Sequence, residues 1–179
     1  MLEIKQHLER AISQPIFFLE FKIKLKPKYF IDKIEEGIED RDNLSFKTNV
    51  MGEMTSYTWF NRDKNFLDIV QKGLDYIDST NLHEKLPKCL LKESWGVKTG
   101  YRNKIKKHDH WGARISGVLY LNNSKQNLLF PQLDIEVKPE VGKLVMFTSI
   151  LKHQTKLQYN NEKKYAIAFN IFDDLEYPT

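Results

Sequence analysis

The chain has 179 residues, 41% apolar and 12% aromatic, enough for one full hydrophobic core and too apolar for a disordered tract. The net charge of +4 and the pI near 9.0 are mild, and acidic residues are scattered among the lysines, so a solvated surface is favoured over a nucleic-acid face. Cys89 is the single cysteine, which excludes an intrachain disulfide, and no apolar run approaches the roughly 18 residues of a membrane span.

The first half reads as helices around one strand. Residues 1–12 suit a short helix ended by Pro15. Over 16–25, Phe17, Leu19, Phe21, Ile23 and Leu25 alternate on one face, the mark of a strand. Pro27 opens an amphipathic helix to Ile38, with Phe30, Ile31, Ile34 and Ile38 on one side. Residues 49–56 read as a loop or lid and Tyr57-Thr58-Trp59-Phe60 as a short strand, so that 43–60 is a candidate lid or substrate loop. A helix follows over 64–77, with Phe66, Ile69, Val70, Leu74 and Ile77 in phase and Asn61 or Asp63 as its cap.

From Leu86 the pattern changes to short strand candidates separated by turn signals. They fall near 89–98, 104–110, 114–121, 127–130, 133–137, 143–148, 153–158 and 164–172. This spacing predicts a jelly roll backed by helices. The expected organisation is one domain over 1–179, with helices and a strand in 1–85 and the β core in 86–173. Cys89, in an apolar run, is expected to be a small core residue.

Chemistry concentrates in Lys107-His108-Asp109-His110. Residues two apart on a strand share a face, so His108 and His110 can reach one metal ion, with His153 completing the set. Asp109 would join only if the strand kinks, and otherwise could support a histidine or Arg114. Taken alone, the pair fits a solvated strand among Lys104, Lys106 and Lys107 better, and the His153 motif reverses that preference. His7 and His83 sit in helix or loop contexts and read as surface residues.

Three segments also carry a family likeness. His108-Asp109-His110-Trp111-Gly112-Ala113-Arg114-Ile115-Ser116-Gly117-Val118-Leu119-Tyr120-Leu121 resembles the H-x-H…SGVxYL signature of 2-oxoglutarate/Fe(II)-dependent oxygenases. The run from Gly142 to His153 matches G-x-L-V-x-F-x-S-x-L-x-H, and Lys164-Tyr165-Ala166-Ile167-Ala168-Phe169-Asn170 is similar to R-I-S-I-x-F-N. Together they span about residues 94–172 and resemble a branch found in bacteria and tailed phages, more distantly the prolyl hydroxylases.

The resemblance implies a mainly β protein with flanking helices, a double-stranded β-helix of the cupin-like jelly-roll type. It implies Fe(II) on His108, His110 and His153, with 2-oxoglutarate and dioxygen consumed in hydroxylating a substrate. The family usually places a carboxylate where this chain has His110, and that departure leaves the metal one charge more positive. Lys164 stands where the family has an arginine for the distal carboxylate of 2-oxoglutarate, and Ala166 where it has a serine. Tyr120 or Ser116, on one face of 114–121, could replace the missing hydroxyl. Trp95, Tyr101, Asn103 and Trp111 could line the site, and Arg114 could meet a substrate carboxylate or simply form a salt bridge.

The substrate stays open between a protein side chain, a nucleobase and a small metabolite. The N-terminus lacks a signal-peptide core, so the expected location is the cytoplasm, the host's if the gene is phage-borne. Two other readings stand beside the enzyme. One is a β-helix that binds a metal or small acid without catalysis. The other, ranked last, is a nucleic-acid-binding module whose affinity falls with salt.

Overall fold

The computed structural model describes residues 16–40, 48–80 and 88–174. The helix expected over 1–12, His7 and His83 lie outside them. In chain order come β1 (Phe18–Lys22), α1 (Pro27–Glu39), β2 (Val50–Met51), β3 (Glu53–Met54), α2 (Lys64–Ser79) and β4 (Cys89–Thr99). Then follow β5 (Lys104–Ile105), β6 (Ile115–Tyr120), β7 (Leu128–Phe130), β8 (Ile135–Val137), β9 (Lys143–Thr148), β10 (Gln154–Thr155) and β11 (Lys164–Asp173). No helix among the described residues is long and apolar enough to cross a membrane.

A six-stranded antiparallel sheet in the order β1-β9-β6-β11-β4-β3 faces a three-stranded sheet, β10-β7-β8, and β2 pairs with β5 at one end. Strand alternation divides the large sheet into two chemistries. On one face Ile115, Leu119, Leu144, Met146, Ile167 and Phe169 pack with Phe30 and Ile34 of α1 and Phe66 and Ile77 of α2. On the other, Tyr120, Val145, Phe147 and Ala166 pack with Leu128, Phe130 and Val137 of the small sheet. Helices, large sheet and small sheet therefore form three layers, the mainly β jelly roll expected. Half-buried Cys89 packs at the edge of the helix-side core.

The helix side is tight where helix meets strand. A Cβ on Gly96 of β4 would sit 2.4 Å from Ile34 Cγ1. Gly96→Ala is expected to lower stability by about 1–3 kcal/mol, because Ile34 must leave its rotamer or α1 must lift. A fall in the urea midpoint at unchanged slope checks this, and an unchanged midpoint contradicts it.

Asp63 caps α2, its Oδ1 accepting from Phe66 N at 3.0 Å, while Oδ2 accepts from Tyr29 Oη and faces Lys33 Nζ. Burial opposes ionisation of this carboxyl, but the hydrogen bonds from Tyr29, Phe66 and Lys33 outweigh burial and lower its pKa. One side chain thus joins both helices.

Three expectations are corrected. Tyr57-Thr58-Trp59-Phe60 is a turn, not a strand: Trp59 N bonds to Ser56 O, and Asn61 N to Thr58 O. Its aromatic composition suits a strand, but Tyr57 O and Phe60 N both bond to Ser94 across the turn, which feeds α2. The strand expected over 104–110 ends at Ile105, because Lys106 N turns to Asn49 O. The strand expected over 153–158 shrinks to Gln154–Thr155, since Gln158 turns to bond with Asn103 O and Arg102 N.

Candidate metal centre

The small sheet side of the large sheet carries a histidine cluster. His108 and His153 form an isolated antiparallel bridge, with His108 N donating to His153 O at 3.2 Å and His153 N to His108 O at 2.9 Å. His110 N donates to Ser149 O at 2.9 Å. Backbone pairing thus holds all three residues even though β5 has ended. Their candidate ligand atoms lie within 4.8 Å of one another. Asp109 is not part of this cluster: it borders the adjoining groove, and its Oδ1 accepts from Trp111 N.

The local bonds fix the imidazoles. His108 Nδ1 faces Lys106 O at 2.7 Å and His153 Nδ1 faces Leu151 O at 3.0 Å. Each Nδ1 must carry the proton, which leaves each Nε2 with a bare lone pair. His110 Nδ1 accepts from Asn170 Nδ2 at 3.2 Å, which places its proton on Nε2; binding a metal through Nε2 requires that proton to move to Nδ1 and the Asn170 amide to turn its oxygen toward the ring. That amide has two further bonds: Ser116 Oγ donates to Asn170 Oδ1 at 2.8 Å, and Asn170 Nδ2 donates to Glu93 Oε2 at 2.6 Å.

Burial, then the charges of His153 and His108, pushes the His110 pKa down to about 3. Burial, then the charge of His108, takes His153 down to about 4, and burial lowers His108 as well. The rings are neutral at pH 7, the form that binds a metal. Three converging neutral imidazoles, with His110 in its Nδ1–H tautomer, suit a borderline divalent ion such as iron, zinc or nickel.

Two cavities meet at the cluster. An open groove of about 770 Å³ is bordered by Thr48, Asn49, Tyr57, Trp111 and Phe172, with His108 and His110 in its wall. Trp111 is 81% exposed at its mouth. A narrower, largely apolar cavity runs between the sheets from the histidines to Lys164, past Ser116, Tyr120, Ala166 and Ala168. Lys164 is 2% exposed, its Nζ lies 3.5 Å from Gln126 O, and burial takes its pKa down to about 7. Burial raises the Tyr120 pKa above its ordinary value, so this phenol stays neutral. The Ser116 hydroxyl is committed to Asn170.

The six candidate residues His108, His110, His153, Lys164, Tyr120 and Ser116 thus border one cavity. Tyr101 and Asn103 border neither cavity, since the turn at Gly100–Asn103 directs them elsewhere. Arg114 pairs with Asp173 at 3.0 Å rather than with Asp109. Glu93 and Asn170, the support behind His110, were not selected as a pair. Their signal is weak: an Asn on the expected inner face of the last strand, and a Glu on the strand beside it.

No family model and no curated protein matches the sequence. Solved structures do match the fold. The viral collagen prolyl hydroxylase of Paramecium bursaria Chlorella virus-1, in complex with 2-oxoglutarate, superposes with a TM-score of 0.64 at 15% identity, over 87% of this chain and 95% of that one. A Pseudomonas putida prolyl-4-hydroxylase gives 0.62 at 12% identity, over 95% and 98%. HygX of Streptomyces hygroscopicus, with nickel and 2-oxoglutarate bound, gives 0.58 at 10% identity, over 94% and 87%. The chain therefore has the fold of the 2-oxoglutarate/Fe(II) oxygenases, with a three-histidine cluster facing its inner cavity.

Proposed function

We propose that this protein is an Fe(II)- and 2-oxoglutarate-dependent oxygenase that hydroxylates a substrate entering by the open groove. The observation that carries this reading is the cluster of neutral imidazoles where the groove meets a narrow cavity with a buried lysine along it. The fold shared with solved oxygenases that hold 2-oxoglutarate and nickel supports it.

His108, His110 and His153 would hold the iron, which supplies the activation of dioxygen for attack on a C–H bond. The chain's own residues do the rest. Lys164 offers its ammonium to the distal carboxylate of 2-oxoglutarate, as a point charge rather than a fork. Ala166 and Ala168 leave width for the carbon chain beside it. Tyr120 is the better placed hydroxyl donor, because Ser116 already serves Asn170. Apolar walls exclude water from the reacting centre. The groove's size and open shape favour a bulky substrate that presents one group to the metal.

A second reading, a β-helix that binds metal and a small acid without catalysis, is favoured by His110, Lys164 and Ala166 standing where the resembled family carries other residues. Aerobic incubation of the Fe(II)-loaded protein with 2-oxoglutarate separates the two. The oxygenase reading predicts succinate and carbon dioxide above a free-iron control. Tight binding of both iron and 2-oxoglutarate without succinate supports the non-catalytic protein.

A further inference from the structure

Among the described residues, Trp95 Nε1, Asn127 Oδ1 and Gln158 Oε1 are buried polar atoms without a hydrogen-bond partner. Asn127 and Gln158 border a separate surface cavity. Trp95 is different: it borders both the open groove and the narrow cavity, and is 5% exposed. Its ring packs on Tyr57 and lies 6.0 Å from the His110 ring. A buried indole N–H is a donor only, and leaving it unmet is costly.

The register says what kind of acceptor would meet it. Trp95 pairs with Ala168, which pairs with Val118 on the other side. The indole N–H is the one side-chain donor in that cross-strand row. Ala168 is two residues before Asn170, the partner of His110, and four residues after Lys164. At about 3.3 Å per residue, Trp95 thus sits about 7 Å along the strands from the histidine end and about 13 Å from the lysine backbone. A lysine side chain spans much of the longer interval, and a five-carbon diacid held by it would put its other end beside the indole.

We propose that Trp95 is a positioning residue whose indole N–H donates to an oxygen at the metal end of the bound 2-oxo acid. The inference rests on the cosubstrate reading above. Trp95 would orient that end while Lys164 holds the other.

The test uses the full chain loaded with Co(II), titrated with 2-oxoglutarate by calorimetry, with wild type and Trp95→Phe compared. The expected result is Co(II) affinity and melting temperature close to wild type, with 2-oxoglutarate bound about tenfold or more weakly. Wild-type affinity for 2-oxoglutarate in Trp95→Phe overturns the proposal. If Trp95→Phe fails to fold or loses Co(II), β-(3-benzothienyl)alanine at position 95 replaces only the N–H by sulfur. A tenfold loss there supports the donor role, and unchanged binding overturns it. Wild-type protein that takes Co(II) but no 2-oxoglutarate overturns the cosubstrate reading itself and this inference with it.

Discussion

Substituting His153 by alanine is expected to abolish tight binding of Fe(II) or Co(II). Removing an outer partner of a metal ligand costs about 10–100-fold in affinity, and removing a ligand costs more. His153 is the most buried of the three histidines, held by reciprocal backbone bonds to His108 and flanked by the Phe130 and Phe147 rings. Among the described residues no other His, Cys, Asp or Glu joins the cluster, and Asp109, beside His108 and His110, borders the groove. The backbone bridge survives the substitution, so fold and metal binding separate. Calorimetric titration with Co(II) checks this, and wild-type affinity in His153→Ala would refute the three-histidine centre.

The second large effect concerns Lys164. Lys164→Met is expected to weaken 2-oxoglutarate binding by about 2–5 kcal/mol, thirtyfold or more, because the distal carboxylate is then buried without its cation. Metal affinity should stay unchanged, since Lys164 is not part of the histidine cluster.

The lysine also sets a pH dependence. In the unliganded protein burial has lowered its pKa to about 7. Below that pH the ammonium is present before the ligand arrives, and binding gains nothing from further acid. Above it, each binding event must take up a proton, so affinity should fall about tenfold per pH unit. Lys164→Met should show a flat profile.

The same burial predicts a stability effect of opposite sign. The folded pKa of about 7 lies below the ordinary 10.5, so the unfolded chain binds more protons between those values. Stability contributed through this group therefore rises with pH across that window. At pH 7 or below, Lys164→Met should raise the urea midpoint even as it removes the cosubstrate anchor. A midpoint lower than wild type would mean that the lysine is held by more than its burial suggests.

Much of this was legible because the informative segments are short and regular. Lys164, Ala166 and Ala168 share a face by strand parity, and β11 keeps that parity until the register shift between Asn170 and Ile171. His108 and His110 were paired by the same rule, though for a reason only partly right. The strand expected to carry them ends at Ile105, and backbone bonds to His153 and Ser149 hold them instead. What the sequence hides is register between distant strands. The contact of Asn170 with Glu93 joins residues 77 apart, and only the pairing of β11 with β4 brings them together. The aromatic composition of Tyr57-Thr58-Trp59-Phe60 suits a strand, while the Asp63 cap just beyond needs the chain to turn.

The most direct measurement is an anaerobic titration of the protein with Fe(II) and then 2-oxoglutarate, following the weak visible charge-transfer absorption of the iron–2-oxo acid chelate, with wild type and His110→Ala compared. A band is expected in wild type that needs both additions and is lost or shifted in His110→Ala. Iron-loaded wild type without such a band would contradict it and leave a metal-binding jelly roll with no oxygenase centre.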